Sequence, residues 1–418
     1  MVRETAVGAA GEIRPGAAPE KAPGTVPEPV PDPVADPVAD PVAGAAPEAA
    51  ARVSRARARS VPSAAEGRRA ASRNGELPAV ERVRPGLWSI PVPVPIDSLR
   101  YVLVYALELP DGVAIVDAGW DSDEAYTALC DGLAAAGFAV SDVRAVLVTH
   151  VHPDHYGLAG RVRERSGAWI GVHPADADLV RNRRVQDAED PEARVKELLR
   201  RDRELLERCG APQEVITEAV NLAGMMRRFA APARPDVLIE DGDRPVLPGW
   251  DLRAIWTPGH SPGHLCFVSE SRRVLLTGDH VLPRITPIVS VHPQSPPNPL
   301  ADYLDSLAKV RAAGAAAGVT EVLPAHEYRF RDLAARVDHL MAHHTERLAE
   351  IEAAVAAAGG AACWEIASRL TWSRPWESIP SFLRRMANNE TLAHLVWLES
   401  RGRVRRVPGR PDLWYPAG

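Results

Sequence analysis

His150, His152, Asp154 and His155 lie within six consecutive positions, inside the run Thr149-His150-Val151-His152-Pro153-Asp154-His155. In extended backbone, residues two apart project to the same side, so the imidazoles of His150 and His152 can grip one ion together. Asp154 and His155 are expected to open the next helix. They offer a hard carboxylate oxygen and a borderline nitrogen to a second ion, a mixture that suits zinc, manganese or iron. Pro153 helps fix the turn between the two pairs. Four ligand-type residues so close together fit neither an apolar core nor a solvated helix face. More follow downstream, each in a loop beyond an apolar run: His260 in Thr257-Pro258-Gly259-His260, Asp279 and His280 in Thr277-Gly278-Asp279-His280, and His326 in Leu323-Pro324-Ala325-His326.

Bringing these loops together requires strands that end at a common edge. Apolar, β-branched runs at Tyr101 to Leu107, Val113 to Asp117 and Val143 to Thr149, with a helical stretch from Asp123 to Ala136 between them, predict a layered α/β domain. In such domains ligands gather in the crevice beyond strand ends, where Asp117, His150 and Asp279 all fall. A charged, strand-poor block at about 174–231, with helices near Ala193 to Cys209 and Glu214 to Phe229, interrupts the site sequence as a lid or a supporting layer. A long helix after His326 stops at Gly359-Gly360. Beyond it, short helices at Cys363 to Leu370, Ser381 to Ala387 and Thr391 to Arg401 precede a β wing at Val404 to Trp414. These divide the chain into a tail over 1–78, a catalytic domain over 79–335 and a helical module with a wing over 336–418.

Residues 1–78 contain no aromatic residue and carry a Pro-Val-Ala-Asp repeat followed by a basic stretch, Arg52 to Arg73. Such a segment cannot bury enough apolar area to offset chain entropy, which predicts a disordered Pro/Ala/Arg-rich tail. The remaining balance is ordinary for a globular chain, with 418 residues, 46% hydrophobic, 25% charged and net charge -6. That charge gives no global attraction to nucleic acid or to an anionic membrane. Cys130, Cys209, Cys266 and Cys363 form no CxxC pair and read as free thiols in a reducing compartment. With no signal-peptide core and no long apolar stretch, a cytoplasmic chain without a membrane span is expected.

From His150 to His155 the sequence resembles the metallo-β-lactamase fold hydrolases, whose HxHxDH hallmark it matches at every defined position. The order of the later motifs matches as well. The resemblance covers about residues 84–335 and implies an α/β fold, an αββα sandwich of two sheets with helices outside. It implies that His150, His152 and His260 hold one metal ion and Asp154, His155 and His326 a second, with Asp279 between the two. It also implies that Asp117 orients a ligand histidine without binding metal. The segment Thr257 to His264 is similar to the glyoxalase II branch. The long helix with a C-terminal module looks like the lactamase-beta-2-like branch, which carries a winged-helix-like domain. His264 reads as a packing residue beside the ligand loop.

Two divalent ions in such a site, zinc first with iron or manganese as alternatives, would bind a bridging water and lower its pKa, so that hydroxide attacks a polarised carbonyl or phosphoryl group. No convincing GxSxG offers a nucleophilic serine. Asp154 is the expected proton acceptor, by family resemblance. The leading expectation is hydrolysis of an ester or thioester, on a small-molecule or carrier-bound acyl substrate. The alternative is a metal-dependent ribonuclease, with RNA held by Arg401, Arg403, Arg405, Arg406 and Arg410 near the wing. A binding protein with a degenerate site is disfavoured by the complete ligand set. Trp364, Trp372, Trp376 and Trp397 read as the core of the small module. Substrate choice is assigned to the helical block and to the Pro-rich loop Ile285 to Pro299, neither of which carries a readable code.

Overall fold

β3 (Tyr101–Leu109) shows how the chain builds its layers. Tyr101, Leu103, Tyr105 and Leu107 join one apolar cluster, while Val102, Val104 and Ala106 join another on the opposite face. A strand buried on both sides has no polar face to show, which is why its sequence is a continuous apolar run. The computed structural model describes residues 77–95, 99–229 and 232–418. The tail expected over 1–78 lies outside the described residues, apart from Leu77 and Pro78.

β1 (Glu81–Arg84), β2 (Leu87–Pro93), β3, β4 (Gly112–Val116), β5 (Val143–Leu147), β6 (Trp169–Val172) and β7 (Val237–Leu238) form one sheet in that order. Pairing is antiparallel from β1 to β4 and parallel from β4 to β7. The second sheet runs β11-β10-β9-β8, from β8 (Arg253–Trp256), β9 (Leu265–Ser269), β10 (Val274–Gly278) and β11 (Glu321–Pro324). Leu103, Tyr105 and Leu147 of the first sheet meet Leu265, Phe267, Leu276 and Leu323 of the second in one buried cluster. Each such side chain contributes roughly 1.5–3 kcal/mol relative to exposure.

Helices close both outer faces. α1 (Asp123–Ala135), α2 (Pro153–Tyr156), α3 (Ala159–Ser166) and α4 (Pro174–Arg183) supply Leu129, Leu133, Tyr156, Val162 and Leu179 to the outside of the first sheet. After α5 (Pro191–Cys209) and α6 (Gln213–Phe229), α7 (Pro299–Ala316) and α8 (Leu333–Ala358) cover the second sheet. There Tyr303, Leu307, Val337 and Ile351 pack with Cys266, Val268, Leu275 and Val322. The result is a four-layered αββα sandwich.

α9 (Cys363–Ser368), α10 (Ser381–Ser400) and the hairpin of β12 (Val404–Val407) with β13 (Leu413–Pro416) follow. Leu395, Leu398, Val404 and Trp414 belong to the same apolar cluster as the outer face of the second sheet. α10 is continuous where the sequence predicts a break after Ala387. Asn388 and Asn389 are poor helix formers, but both are buried and their side chains bond each other at 3.1 Å. Tertiary partners use this stretch too, since the Val291 N–H donates to the Asn389 carbonyl at 3.2 Å. Packing therefore overrides propensity.

Among the described residues no helix is long and apolar enough to cross a membrane. The wing arginines face this chain's own groups: Arg403 pairs with Glu352, Arg406 with Glu399, and Arg410 with Glu207, while Arg401 lies over Trp397 and Arg405 over Tyr415. Trp364 and Trp376 are buried edge to face at 5.3 Å, with Trp372 beside them, so these rings fill a core.

Candidate metal centre

β4 pairs with β5 in parallel in the first sheet, and β10 with β11 in parallel in the second, so each pair ends at one edge of its own sheet. β8 has the direction of β10, being two antiparallel steps away. Asp117, His150, His260, Asp279 and His326 each follow one of these strand ends. Backbone bonds fasten the loops: Leu265 N–H to the Thr149 carbonyl at 2.7 Å, Ala325 N–H to Gly278 at 2.9 Å, and Leu103 N–H to Ala325 at 2.7 Å. Two glycines permit the close approach. A Cβ on Gly259 (φ +134°) would sit 2.4 Å from Tyr303 Cβ, and one on Gly278 (φ +49°) would sit 2.7 Å from His264 Nε2.

His150 Nε2, His152 Nδ1 and His260 Nε2 form a triangle with edges of 2.9, 3.2 and 3.1 Å. On the other side, Asp154 Oδ2 lies 3.6 Å from His155 Nε2 and 3.3 Å from His326 Nε2. Asp279 stands between, 3.6 Å from His260, 3.5 Å from His155 and 3.3 Å from His326. All seven predicted donors are thus brought together, in clusters that could each hold an ion.

The side chains fit divalent cations on their own evidence. His155 Nε2, His326 Nε2 and Asp279 Oδ1 are buried polar atoms without a hydrogen-bond partner, a costly state unless another group engages them. The far nitrogens are anchored instead: His326 Nδ1 to the Tyr101 carbonyl at 2.8 Å, His260 Nδ1 to the Ile288 carbonyl at 2.8 Å, and His155 Nδ1 to Asp117 Oδ2 at 2.9 Å. An imidazole that donates through Nδ1 turns Nε2 toward the site, where it offers a lone pair to a metal ion once the ring is neutral. Asp117 adopts φ +63°, a left-handed backbone rare outside glycine, and also accepts from the Thr149 N–H at 2.8 Å. One carboxylate thereby fixes both His155 and the start of the His150 loop.

Protonation follows the charges. Burial, then neighbouring imidazoles, holds His150 and His152 well below the ordinary histidine value; burial also lowers His260. Burial opposes charge on His155 and His326 too, but Asp279 and Asp154 outweigh it, raising His155 strongly and His326 to about 10. Asp154 and Asp279 are correspondingly held below the usual carboxylate range, against burial, by His155 and His326. In the metal-free chain the raised histidines contribute stability that is full below about pH 6.5 and fades as pH rises through about 10, while the lowered carboxylates contribute stability that is full above their ordinary range and is lost as pH falls below it. Metal uptake at pH 7 must expel these protons, so calorimetry in buffers of different ionisation enthalpy should show about two protons released per chain and weaker binding at lower pH. A binding heat independent of the buffer would contradict this assignment.

Residues 97–326 match the family model of the metallo-beta-lactamase superfamily, over more than half of the chain. The chain belongs to that superfamily. A metallo-β-lactamase family protein of Thermus thermophilus is similar at TM-score 0.65 and 32% identity, covering 80% of this chain and 100% of that one. The lactamase-like protein vrtG of Penicillium aethiopicum is 35% identical over 125 residues, 30% of this chain and 37% of that protein. An atrochrysone carboxyl ACP thioesterase of Aspergillus aculeatus, AacuM, is 35% identical over 109 residues, 26% of this chain and 31% of that protein. The chain thus spans less than two thirds of the length of these curated relatives. As a metallo-β-lactamase superfamily member the protein carries His and Asp clusters that fit a binuclear site.

Sequence reading missed the residues that hold this superfamily site rigid. Asp176 is fully buried in α4 and accepts from the Val151 N–H at 2.9 Å, the Gly263 N–H at 2.7 Å and the Ser261 hydroxyl at 3.1 Å. It ties the His150 loop to the His260 loop. An acidic residue in the first turn of a helix is common, so its position carried no signal. Arg183, also on α4, donates to the Val151 carbonyl beside His152. His264 accepts from the Asp279 N–H at 3.2 Å, which makes it a support, and His280 lies outside the donor clusters against Tyr303.

Proposed function

We propose that the protein hydrolyses a thioester, with a carrier-bound acyl group as its substrate class. The observation that carries this reading is the complete donor set of two adjoining clusters bridged by Asp279, joined to relatives that bear the name ACP thioesterase. In this reading His150, His152 and His260 would hold one ion, Asp154, His155 and His326 would hold the other, and Asp279, which adjoins both clusters, would serve either. Zinc is the first choice, with iron or manganese compatible with the same N/O donors. When bound, two such ions supply Lewis acidity toward the acyl carbonyl and lower the pKa of water.

The chain's own residues do the rest. Asp154 meets His155 and His326 through Oδ2, and its ionised carboxylate accepts the proton of the attacking water. Asp117 holds His155, while the Tyr101 and Ile288 carbonyls hold His326 and His260, so the donors need no rearrangement during turnover. No observation favours a nuclease, because the wing arginines are engaged with internal carboxylates and rings. Free thiols at all four cysteines accord with a reducing compartment, and the cytoplasm is the proposed location.

A screen of acyl thioesters, oxygen esters, phosphodiesters and RNA, with zinc or manganese supplied, tests this reading. Thioester turnover at least tenfold above the other classes, abolished in Asp154→Ala, is the expected result. Faster cleavage of RNA or phosphodiesters would overturn it.

A further inference from the structure

Two of the four cysteines belong to one buried cluster, although 154 positions separate them in sequence (363 minus 209). Cys209 is the last residue of α5, and Cys363 is the first of α9. The residues flanking them approach closely, since a Cβ added to Gly210 would lie 2.7 Å from Ala362 Cβ, and the hairpin of β12 and β13 also holds the end of α5, where the Asp412 N–H donates to the Arg208 carbonyl at 2.8 Å. Cys209 and Cys363 lie in the same buried cluster, and the Cys363 thiol donates to the Asn388 carbonyl at 3.4 Å. Both are buried in protein, yet both line a cavity of about 460 Å³ together with Leu205, Pro296, Leu392 and Trp414. That space exceeds many times what one small molecule the size of water needs.

We propose that Cys209 and Cys363 are a redox pair, which a small hydroperoxide entering this cavity converts into a disulfide joining α5 to the C-terminal helices. The Cys209 sulfur attacks one peroxide oxygen, forming an S–O bond as the O–O bond breaks and hydroxide leaves. The Cys363 sulfur then attacks Cys209, forming the S–S bond as the S–O bond breaks and a second hydroxide leaves. The two thiol protons convert both hydroxides to water, and two electrons pass from the thiols to the peroxide.

The environments divide the roles. The neighbouring Cys363 thiol lowers the Cys209 thiol against its burial, whereas burial and then Cys209 push Cys363 far up. Cys209 is therefore the attacking thiol and Cys363 the resolving one. Neither remaining cysteine has such a neighbour among its described bonds: Cys266 lies in β9 beside the Thr277 carbonyl, with burial pushing it up to about 12, and Cys130 is half-buried in α1. The proposal is independent of the substrate and of the metal ions.

The test treats the full chain with a few equivalents of hydrogen peroxide, alkylates the remaining thiols and maps disulfide-linked peptides without reduction. The expected product has two alkylated cysteines, Cys130 and Cys266, and one Cys209–Cys363 linkage that dithiothreitol reverses. It should also melt several degrees higher, as closing a long loop restricts the unfolded chain. Cys363→Ser should instead leave Cys209 as a sulfenic acid that dimedone traps, and Cys209→Ser should leave Cys363 as a thiol. Four alkylated thiols after treatment, a linkage involving Cys130 or Cys266, or over-oxidation of wild-type Cys209 without a linkage would each overturn the proposal. The wild-type peptide map decides the matter even if a serine variant fails to fold.

Discussion

Asp279→Ala should yield a folded protein that has lost both its metal and its hydrolysis, with turnover down on the order of 10³-fold or more. The size of the effect follows from position. Asp279 contacts His260 in one cluster and His155 and His326 in the other, so a single truncation weakens both. It also removes the main attraction that raises His326, whose pKa should fall toward the ordinary histidine value. Elemental analysis of protein purified without chelator, beside thioester turnover and far-ultraviolet dichroism, checks all three consequences. Retention of two metal equivalents with activity within tenfold of the parent would refute the bridging position assigned to this carboxylate.

The largest stability effect is expected at Asp176. Alanine there strands three donors, the Val151 and Gly263 N–H groups and the Ser261 hydroxyl, in a buried site. Orphaned buried donors cost about 1–3 kcal/mol each, and partial relaxation leaves a total of about 4 kcal/mol. Thermal unfolding of the metal-free chain should fall by roughly ten degrees. Because the lost bonds tie the His150 loop to the His260 loop, metal affinity should fall as well, by about 10–100-fold. Asn in place of Asp keeps one acceptor oxygen and should fall between the two. An Asp176→Ala variant with unchanged melting and metal affinity would show that the loops are positioned by other means.

What the sequence makes legible is whatever a period or a spacing encodes. The doubly buried strands advertise themselves as apolar runs, and His150 to His155 advertises two donor pairs because extended backbone and a helix start place them on one side. His260, Asp279 and His326 could be found because each follows such a run. Asp176 could not, because its importance lies in three partners that only folding supplies, two of them backbone groups. The same holds for the Tyr101 and Ile288 carbonyls, which aim His326 and His260 without any side-chain identity to read. α10 shows the converse error, in which two asparagines with low helix propensity predict a break that their burial removes.

The apolar cluster shared by the second sheet and the C-terminal helices sets an order of events during synthesis. Val322 on β11 and Val268 on β9 are covered by Val337, Ile351, Leu395 and Trp414, and the last of these lies 90 positions beyond Pro324 (414 minus 324). At about 5–20 residues per second, the nascent chain displays the unfinished outer face of that sheet for on the order of ten seconds before its cover emerges from the ribosome. Three of the ligand loops, those of His260, Asp279 and His326, hang from that sheet. The outer face of the first sheet, with its own helices complete by Arg183, has no such wait. The ion site is therefore the last part of this protein to become whole, and a nascent-chain chaperone that shields apolar strands would act on β8 to β11 before any metal is acquired.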